Sequence, residues 1–244
     1  MPQIIEKEII LEVLQHAECT LQGQFINGSN YTFFLDLKVP WGVMQAVYKP
    51  VRGETPLWDF PTGTLAKREV AAYLVSEALG WRIVPPTILR KHKLPFGPGS
   101  VQQFIDHDPQ HHYFNLTPVE KEKLRSVAVF DCLINNADRK GSHILQSING
   151  QVFCIDHGVC FHVDDKLRTV IWNFAGQSIP SKLLTDLAGL AAELKPDMPL
   201  ALELLPFLQK REIKALANRA RRLINTAVFP HTDNTRRQFP WPPV

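Results

Sequence analysis

Two aspartates stand at either end of a predicted β-hairpin in the second half of the chain. Asp138 lies in the segment NNADRKGSH, and Asp156 follows the second strand in IDHG. The β-prone runs 144–148 and 152–155 flank Asn149-Gly150, a dipeptide that favours a two-residue hairpin turn. Because antiparallel pairing brings the ends of a hairpin together, we expect the two carboxylates to lie side by side. Such a pair suits phosphate chemistry, in which one acid orients a hydroxyl nucleophile and the other holds a metal that bridges phosphates.

A lysine and a glutamate precede this hairpin in an order that suits the same chemistry. Lys49 ends a predicted strand in AVYKP, and Glu69 lies on a predicted helix. A lysine on a rigid strand can direct its ammonium group at phosphates, and a nearby carboxylate can fix that group in place. A lone lysine at a strand end is usually solvated, but its position ahead of a helical glutamate and an acidic hairpin favours a shared site.

A glycine-containing loop, GQFINGSN at 23–30, joins the first two predicted strands. Its glycines permit a close backbone approach, and the Ser29 hydroxyl and the amides around Asn30 are candidates for phosphate contacts. The loop is a weak motif by itself. The sequence contains neither Gly-x-x-x-x-Gly-Lys-Ser/Thr nor Gly-x-Gly-x-x-Gly, which argues against a P-loop enzyme.

The first half of the chain supplies mostly strands to position these residues. An amphipathic helix is expected within 4–19. The predicted strands cover 20–25, 31–37, 43–49, 83–89 and 100–105, and the first three form an antiparallel meander. A helix over 65–79, with Thr64 as its N-cap and Gly80 as its C′ glycine, carries Glu69.

The second half is mostly helical apart from the hairpin. Thr117-Pro118-Val119-Glu120 is a capping box with proline at the first helical position, and its helix is expected to run to about Ile134. Two or three further helices are expected after Lys182. The fold class is therefore predicted to be α+β.

The composition excludes several classes of protein. The 244 residues are 45% hydrophobic and 21% charged, and the net charge of +3 is too small to indicate a nucleic-acid or anionic-membrane partner. No apolar run reaches the roughly 20 residues of a membrane helix. The start MPQIIEKEII lacks the features of a signal peptide, and the four cysteines lack metal-binding or redox spacing. We therefore expect a cytoplasmic protein with reduced thiols and no transmembrane segment.

Taken together, these motifs resemble the atypical branch of the protein kinase-like superfamily. The order Lys49, Glu69, Asp138-Arg139 and Asp156-x-Gly158 carries the resemblance. The segment DRKGSHIL is similar to the Asp-Arg-His-x-x-Asn-Ile catalytic loop of phosphatidylinositol 3- and 4-kinases and of bacterial toxin-type Ser/Thr kinases. The strings YKPVRGETPLWDFPTGTLAKREVAAYLVSEALGW, NNADRKGSHIL and IDHGVCFH more closely resemble a bacterial family related to those lipid kinases. The resemblance covers roughly residues 18–180.

The resemblance implies a compact two-lobe kinase-like fold in a single domain. A β-rich N-lobe would cover 1–105, and a helical C-lobe with the metal-binding hairpin would cover 106–229. Residues 230–244 would form an irregular tail. The implied activity is ATP-dependent transfer of the γ-phosphate to a hydroxyl acceptor, with ATP and Mg²⁺ or Mn²⁺ as cofactors. The acceptor, whether a protein, a metabolite or a lipid, is not indicated.

The resemblance also implies roles for individual residues. Lys49 would contact the nucleotide phosphates, and Glu69 would hold it. Asp138 would orient the acceptor hydroxyl and act as the base, with Arg139 and Lys140 beside it in the catalytic loop.

Further roles concern the hinge and the metal. Gln103 and Phe104 fall where the interlobe hinge would present backbone groups to adenine, and Asp156 would bind the metal. The sequence departs from the family pattern in two places. Lys140 replaces the usual histidine of the loop, and His143 stands where asparagine normally holds a second metal. Imidazole is a poor ligand for Mg²⁺ and a better one for Mn²⁺ or Zn²⁺.

Two other functions stay open. His143, Asp156, His157 and His162 could form the His/Asp centre of a metal-dependent hydrolase, although this would leave the lysine–glutamate pair unexplained. Alternatively, the same fold could bind nucleotide without turnover or transfer the AMP group, and the substitution at His143 motivates this alternative.

Overall fold

Five antiparallel strands form the sheet of the N-terminal half. The computed structural model describes residues 6–25, 30–233, 235 and 237–244. The strands are β1 (Cys19–Phe25), β2 (Thr32–Val39), β3 (Gly42–Pro50), β4 (Thr87–Arg90) and β5 (Gly99–Gln103). Their order in the sheet is β1-β2-β3-β5-β4, so β5 and β4 extend the expected meander from its β3 edge. The strand expected at 83–89 begins only at Thr87, because the preceding Pro85-Pro86 cannot donate to a ladder.

Alternating side chains divide this sheet into two faces. Leu35 and Tyr48 lie on the face that is buried against helix α1 (Lys7–His16). Side chains alternate along a strand, so Phe34 and Lys49 belong to the opposite face. That face is turned toward the next helix, which carries Glu69.

Helix α2 (Leu65–Ala78) has the expected end but an unexpected beginning. Gly80 follows the helix in the left-handed region, with φ of 68°, as a C′ glycine should. Thr64 occupies the N-cap position, yet its side chain makes no capping hydrogen bond. Instead, Oε1 of Glu54 accepts a hydrogen bond from the Ala66 amide over 2.9 Å. A glutamate from the preceding loop therefore caps the helix.

The C-terminal half contains five α-helices among the described residues. They are α3 (Pro118–Glu122), α4 (Arg125–Ile134), α5 (Ser181–Glu193), α6 (Pro199–Leu204) and α7 (Lys210–Thr226). The capping box between Thr117 and Glu120 is present. The prediction of one helix reaching Ile134 is wrong, because the helix is interrupted between α3 and α4. Leu124 donates to the Lys121 carbonyl in a tighter turn and buries its side chain completely. Within the described chain, no helix is long and apolar enough to cross a membrane.

The hairpin that carries Asp156 has shorter strands and a longer loop than expected. Its strands are β6 (Ile144–Gln146) and β7 (Val152–Cys154). The Gly150 amide donates to the Ser147 carbonyl over 2.8 Å, and Gly150 has φ of 78°. The Ser147 amide in turn donates to the Gln151 carbonyl over 2.9 Å. This is a three-residue loop with a glycine bulge, and the expected two-residue turn is wrong.

Helix α2 is held by both halves of the molecule. Val75 of α2 packs in the same hydrophobic cluster as Phe130 of α4. At the start of α2, Arg68 is 1% exposed and forms an ion pair of 2.6 Å with Glu212 of α7. The position of Glu69 therefore depends on the C-terminal half as well as on the sheet.

Residues 230–244 form no helix or strand where the structure describes them, but they are anchored to the C-terminal half. The carbonyl of Pro243 accepts a hydrogen bond of 2.8 Å from the Gly141 amide. The carbonyl of Gln238 accepts one of 3.1 Å from the Thr169 amide. The tail therefore contacts the loop that carries Asp138.

Candidate active site

Lys49 joins two acidic residues that come from different parts of the chain. Its Nζ donates to Oε1 of Glu69, and it lies 3.1 Å from Oδ1 of Asp156. The side chains of Lys49 and Glu69 are 21% and 3% exposed. Burial alone would lower the pKa of Lys49, but Asp156 and Glu69 outweigh burial and raise this pKa above its ordinary value. Lys49 is therefore a cation that neighbouring carboxylates hold in place at the end of a strand.

Asp156 lies just beyond strand β7 in a backbone conformation that few residues adopt. Its φ is 62°, in the left-handed region that aspartate tolerates better than most side chains. The carboxylate contacts Lys49 through one oxygen, and its other oxygen lies 3.3 Å from Nε2 of His143. Burial alone would raise the pKa of Asp156, but the charge of Lys49 holds it well below its usual range. Asp156 is therefore ionised at neutral pH while its side chain stays 47% exposed.

Asp138 lines the same pocket as Asp156. The side chain of Asn136 accepts a hydrogen bond of 2.9 Å from the Asp138 amide and shapes the loop. Nζ of Lys140 lies 3.7 Å from the Asp138 carboxylate. Burial raises the pKa of Asp138 to about 6, against the opposing effect of Lys140. A carboxylate with this pKa can accept a proton near neutral pH.

His143 uses both ring nitrogens within the protein. Nδ1 accepts the Lys140 amide hydrogen at a donor–acceptor distance of 3.4 Å, which leaves the proton on Nε2, facing Asp156. Burial lowers the pKa of His143 to about 4, so the ring is neutral at pH 7. This geometry favours a role in orienting Asp156. Metal binding by His143 stays a prediction, and it would require one nitrogen to release its present partner.

Arg139 lies in the interior and does not line the pocket of Asp138 and Asp156. It is completely buried, and its Nε donates to Asp131 over 3.0 Å. Nη2 lies 2.8 Å from Nε2 of His157. The guanidinium therefore holds the loop in place, and a part for Arg139 in catalysis stays a prediction. Sequence reasoning gave no role to Asp131, although a charged residue within the apolar run AVFDCLI was a signal.

The candidates at the start of β2 are only partly described. Asn30 lines the pocket, and its side-chain oxygen accepts a hydrogen bond of 2.7 Å from the Thr55 amide. Asn30 therefore ties the start of β2 to the loop that follows β3. Ser29 lies outside the described residues.

The backbone amides of the two hinge candidates are used within the protein. The Gln103 amide donates to the Pro86 carbonyl over 2.9 Å, and the Phe104 amide donates to the Gln45 carbonyl over 3.0 Å. Neither amide is free to donate to a base. The Phe104 ring instead packs edge-on against Phe34, with 5.0 Å between ring centroids. Both rings line an open cleft beside β1, which has a volume of about 310 Å³.

The pocket around Lys49 has the composition of a site for phosphate and a hard cation. Its charged lining residues are Lys49, Glu54, Glu69, Asp138, Lys140 and Asp156. Four carboxyl groups therefore face two ammonium groups. Mg²⁺ commonly binds through one or two carboxylates together with waters and substrate phosphates. No three His, Cys, Asp or Glu side chains in the described part of the chain converge to hold a metal alone. The donor set therefore fits a cation that arrives with phosphate.

The histidines of the hydrolase alternative do not surround one point. His157 is completely buried beside Arg139. Nδ1 of His162 accepts the Asp164 amide hydrogen over 3.0 Å, and its ring packs against Phe60. Of these three histidines, only His143 lies within 4 Å of the Asp156 carboxylate, so this arrangement gives the hydrolase no support.

The fold is that of an atypical kinase. The chain aligns with a Golgi casein kinase solved with Mn/ADP bound, at a TM-score of 0.60 and 16% identity, over 98% of this chain and 80% of that one. It aligns with a hydra Fam20 solved with sugar at a TM-score of 0.59 and 15% identity, over 93% of this chain and 90% of that one. At these identities the comparisons show a shared fold.

The sequence comparisons identify the family. The model of the phosphatidylinositol 3- and 4-kinase family matches residues 62–202, more than half of the chain. The chain therefore belongs to this family. It is also 42% identical to protein Rv2133c of Mycobacterium tuberculosis over an alignment of 264 positions, which covers 94% of each chain.

Proposed function

We propose that this protein is an ATP-dependent phosphotransferase that moves the γ-phosphate of ATP to a hydroxyl acceptor. The observation that carries the proposal is the contact of Lys49 with both Glu69 and Asp156 in the pocket that Asp138 also lines. The family membership and the likeness to a kinase solved with Mn/ADP support it. A single domain of two lobes and a cytoplasmic location, where ATP is available, are parts of this proposal.

The residues divide the work of the transfer. Lys49 binds phosphate oxygens, Glu69 fixes its ammonium group, and Asp156 binds Mg²⁺ or Mn²⁺. When bound, the cation neutralises charge on the phosphates. Asp138 accepts the proton of the acceptor hydroxyl while the oxygen of that hydroxyl bonds to the γ-phosphorus. The bond from that phosphorus to the bridging oxygen breaks, ADP leaves, and Lys140 offers a second positive charge beside Asp138.

Thermal-shift titration with ATP and Mg²⁺ or Mn²⁺, followed by transfer from γ-labelled ATP, tests the proposal. Asp156→Ala should lose both metal-dependent stabilisation by nucleotide and transfer of the label. Asp164→Ala is the matched control, because that side chain is 81% exposed and lies outside the pocket. Unchanged transfer of the γ label by Asp156→Ala would show that the site is wrongly assigned.

A second candidate function is nucleotide binding without phosphoryl transfer, or transfer of AMP. It is favoured by the state of His143, whose two nitrogens are engaged where the family has a metal-binding asparagine. Parallel reactions with α-labelled and γ-labelled ATP separate the candidates. Transfer of the α label alone indicates an adenylyltransferase, and binding without either label indicates a pseudokinase.

A further inference from the structure

Glu54 places a carboxylate at the pocket with only one of its oxygens satisfied. Oε1 accepts the hydrogen bond from the Ala66 amide in the first turn of α2. Oε2 is buried from solvent and has no hydrogen-bond partner among the residues that the structure describes. The residue lies in the loop between β3 and α2 and lines the pocket of Lys49 and Asp156.

Capping of α2 does not explain why this residue is charged. A neutral oxygen is enough to accept the hydrogen bond of a helix N-terminus, and Thr64 already stands at the N-cap without using its hydroxyl in this way. The positive end of the helix dipole favours a nearby anion, but this effect acts on the whole carboxylate and leaves Oε2 without a donor. A buried carboxylate oxygen without a partner is unfavourable unless a cation or a donor arrives.

The side chains already in the pocket do not supply that partner. The ammonium group of Lys49 is directed at Glu69 and Asp156. The ammonium group of Lys140 lies beside Asp138. Oε2 of Glu54 is therefore left without a partner in a residue that lines the pocket where the proposed function places a nucleotide and its cation.

We propose that Glu54 is a cation-binding residue of this pocket, with Oε2 directed at the divalent cation or at one of its bound waters. The inference rests on the proposed function and adds a residue that the motifs did not indicate. Hydrogen bonds that orient a metal-binding carboxylate commonly tune metal affinity, and the Ala66 amide has this position. Since Ala66 and Glu69 lie on the same helix, cation binding by Glu54 is coupled to the placement of Lys49.

Glu54→Gln tests the inference, because the amide oxygen can still accept from Ala66 while the negative charge is lost. Binding of Mn²⁺ in the presence of ADP is measured by electron paramagnetic resonance of free Mn²⁺, with wild type and variant at equal concentration. The affinity for Mn²⁺ should fall at least about tenfold in Glu54→Gln. Glu120→Gln is the matched control, since Glu120 accepts a capping hydrogen bond from Thr117 outside this pocket, and it should bind like wild type.

The possible results separate the inference from the function beneath it. If wild type binds Mn²⁺ with ADP and Glu54→Gln binds Mn²⁺ as well or better, the inference is wrong and the proposed function is unaffected. If wild type does not bind Mn²⁺ with ADP, both the inference and the proposed function are wrong. Circular dichroism checks the folding of the variant. If the variant does not fold, the wild type is tested instead by nuclear magnetic resonance. Mn²⁺ bound with ADP should then broaden the Ala66 amide resonance by paramagnetic relaxation, and an unchanged resonance overturns the inference.

Discussion

Arg139 and His157 are joined side chain to side chain in the interior, where Nη2 of Arg139 lies 2.8 Å from Nε2 of His157. The same guanidinium binds the carboxylate of Asp131 on α4. The backbone amide of His157 donates to Oε2 of Glu69 over 2.9 Å, and the other oxygen of Glu69 holds Lys49. A continuous buried polar chain thus runs from the C-terminal half to the cation on β3.

His157→Phe should break this chain at its centre. The variant removes the ring nitrogen and leaves one buried N–H of Arg139 without an acceptor, so we expect a loss of about 1–3 kcal/mol in the free energy of unfolding. Urea denaturation at pH 7 measures it. Because burial lowers the pKa of His157 well below its ordinary value, the wild-type ring is neutral and accepts at that pH. His157→Gln, which can keep an acceptor, should lose less, and equal losses in both variants would contradict the argument.

Asp138→Asn should slow the proposed transfer and make the protein more stable above pH 6. Burial raises the pKa of Asp138 to about 6 from its ordinary 3.8. Between these values the unfolded chain is ionised while the folded chain keeps its proton, so this group's contribution to stability is full below pH 4 and is lost as the pH rises through 6. Asparagine does not titrate. We expect the variant to be about 1 kcal/mol more stable at pH 8, given partial solvent exposure.

The same substitution predicts a pH dependence for the proposed transfer. Asp138 acts as a base only when ionised, so the wild-type rate should fall about tenfold per pH unit below pH 6. The Asp138→Asn rate should be lower by a factor of about 10²–10⁴ at pH 7. A wild-type profile that is flat from pH 5 to 8, measured with chemistry rate-limiting, would exclude Asp138 as the base.

Arg68→Met should loosen helix α2 from the C-terminal half. Arg68 and Glu212 are 1% and 4% exposed, so the variant leaves a buried carboxylate without its partner. Breaking such a pair from one side costs about 3–5 kcal/mol, measured by chemical denaturation. Lys7→Met breaks the more exposed pair with Glu77 and should cost less than about 1 kcal/mol. Equal effects of the two substitutions would show that Arg68 does not fix α2.

Removal of residues 237–244 should loosen the loop that carries Asp138. The Gly141 and Thr169 amides lose the carbonyls of Pro243 and Gln238, which are their acceptors in the structure. Hydrogen exchange at both amides should become faster, and the proposed transfer should slow. The amide of Ala128, which is bonded within the turn that begins α4, is the internal control. Unchanged exchange at Gly141 would refute a positioning role for the tail.

Much of the fold follows from local patterns. β-prone runs separated by turn residues predicted β2 and β3, and strong helix formers followed by Gly80 predicted α2. The capping box at Thr117 marked a helix start correctly. These signals act within a few residues, so a single segment carries them. The break at Leu124 was missed because it depends on burial of that side chain by the surrounding core.

The sequence by itself determined the strands, the main helices and the order of charged residues, and from that order it predicted that Lys49, Glu69, Asp138 and Asp156 share one site. Tertiary structure decided which polar residues face that site. Arg139 adjoins Asp138 in the chain, yet it is buried because Asp131 and His157, from two other elements, meet its guanidinium. The placement of Glu54 likewise depends on how its loop meets α2. Such contacts join residues distant in sequence, and only the packing of the elements brings them within hydrogen-bond distance.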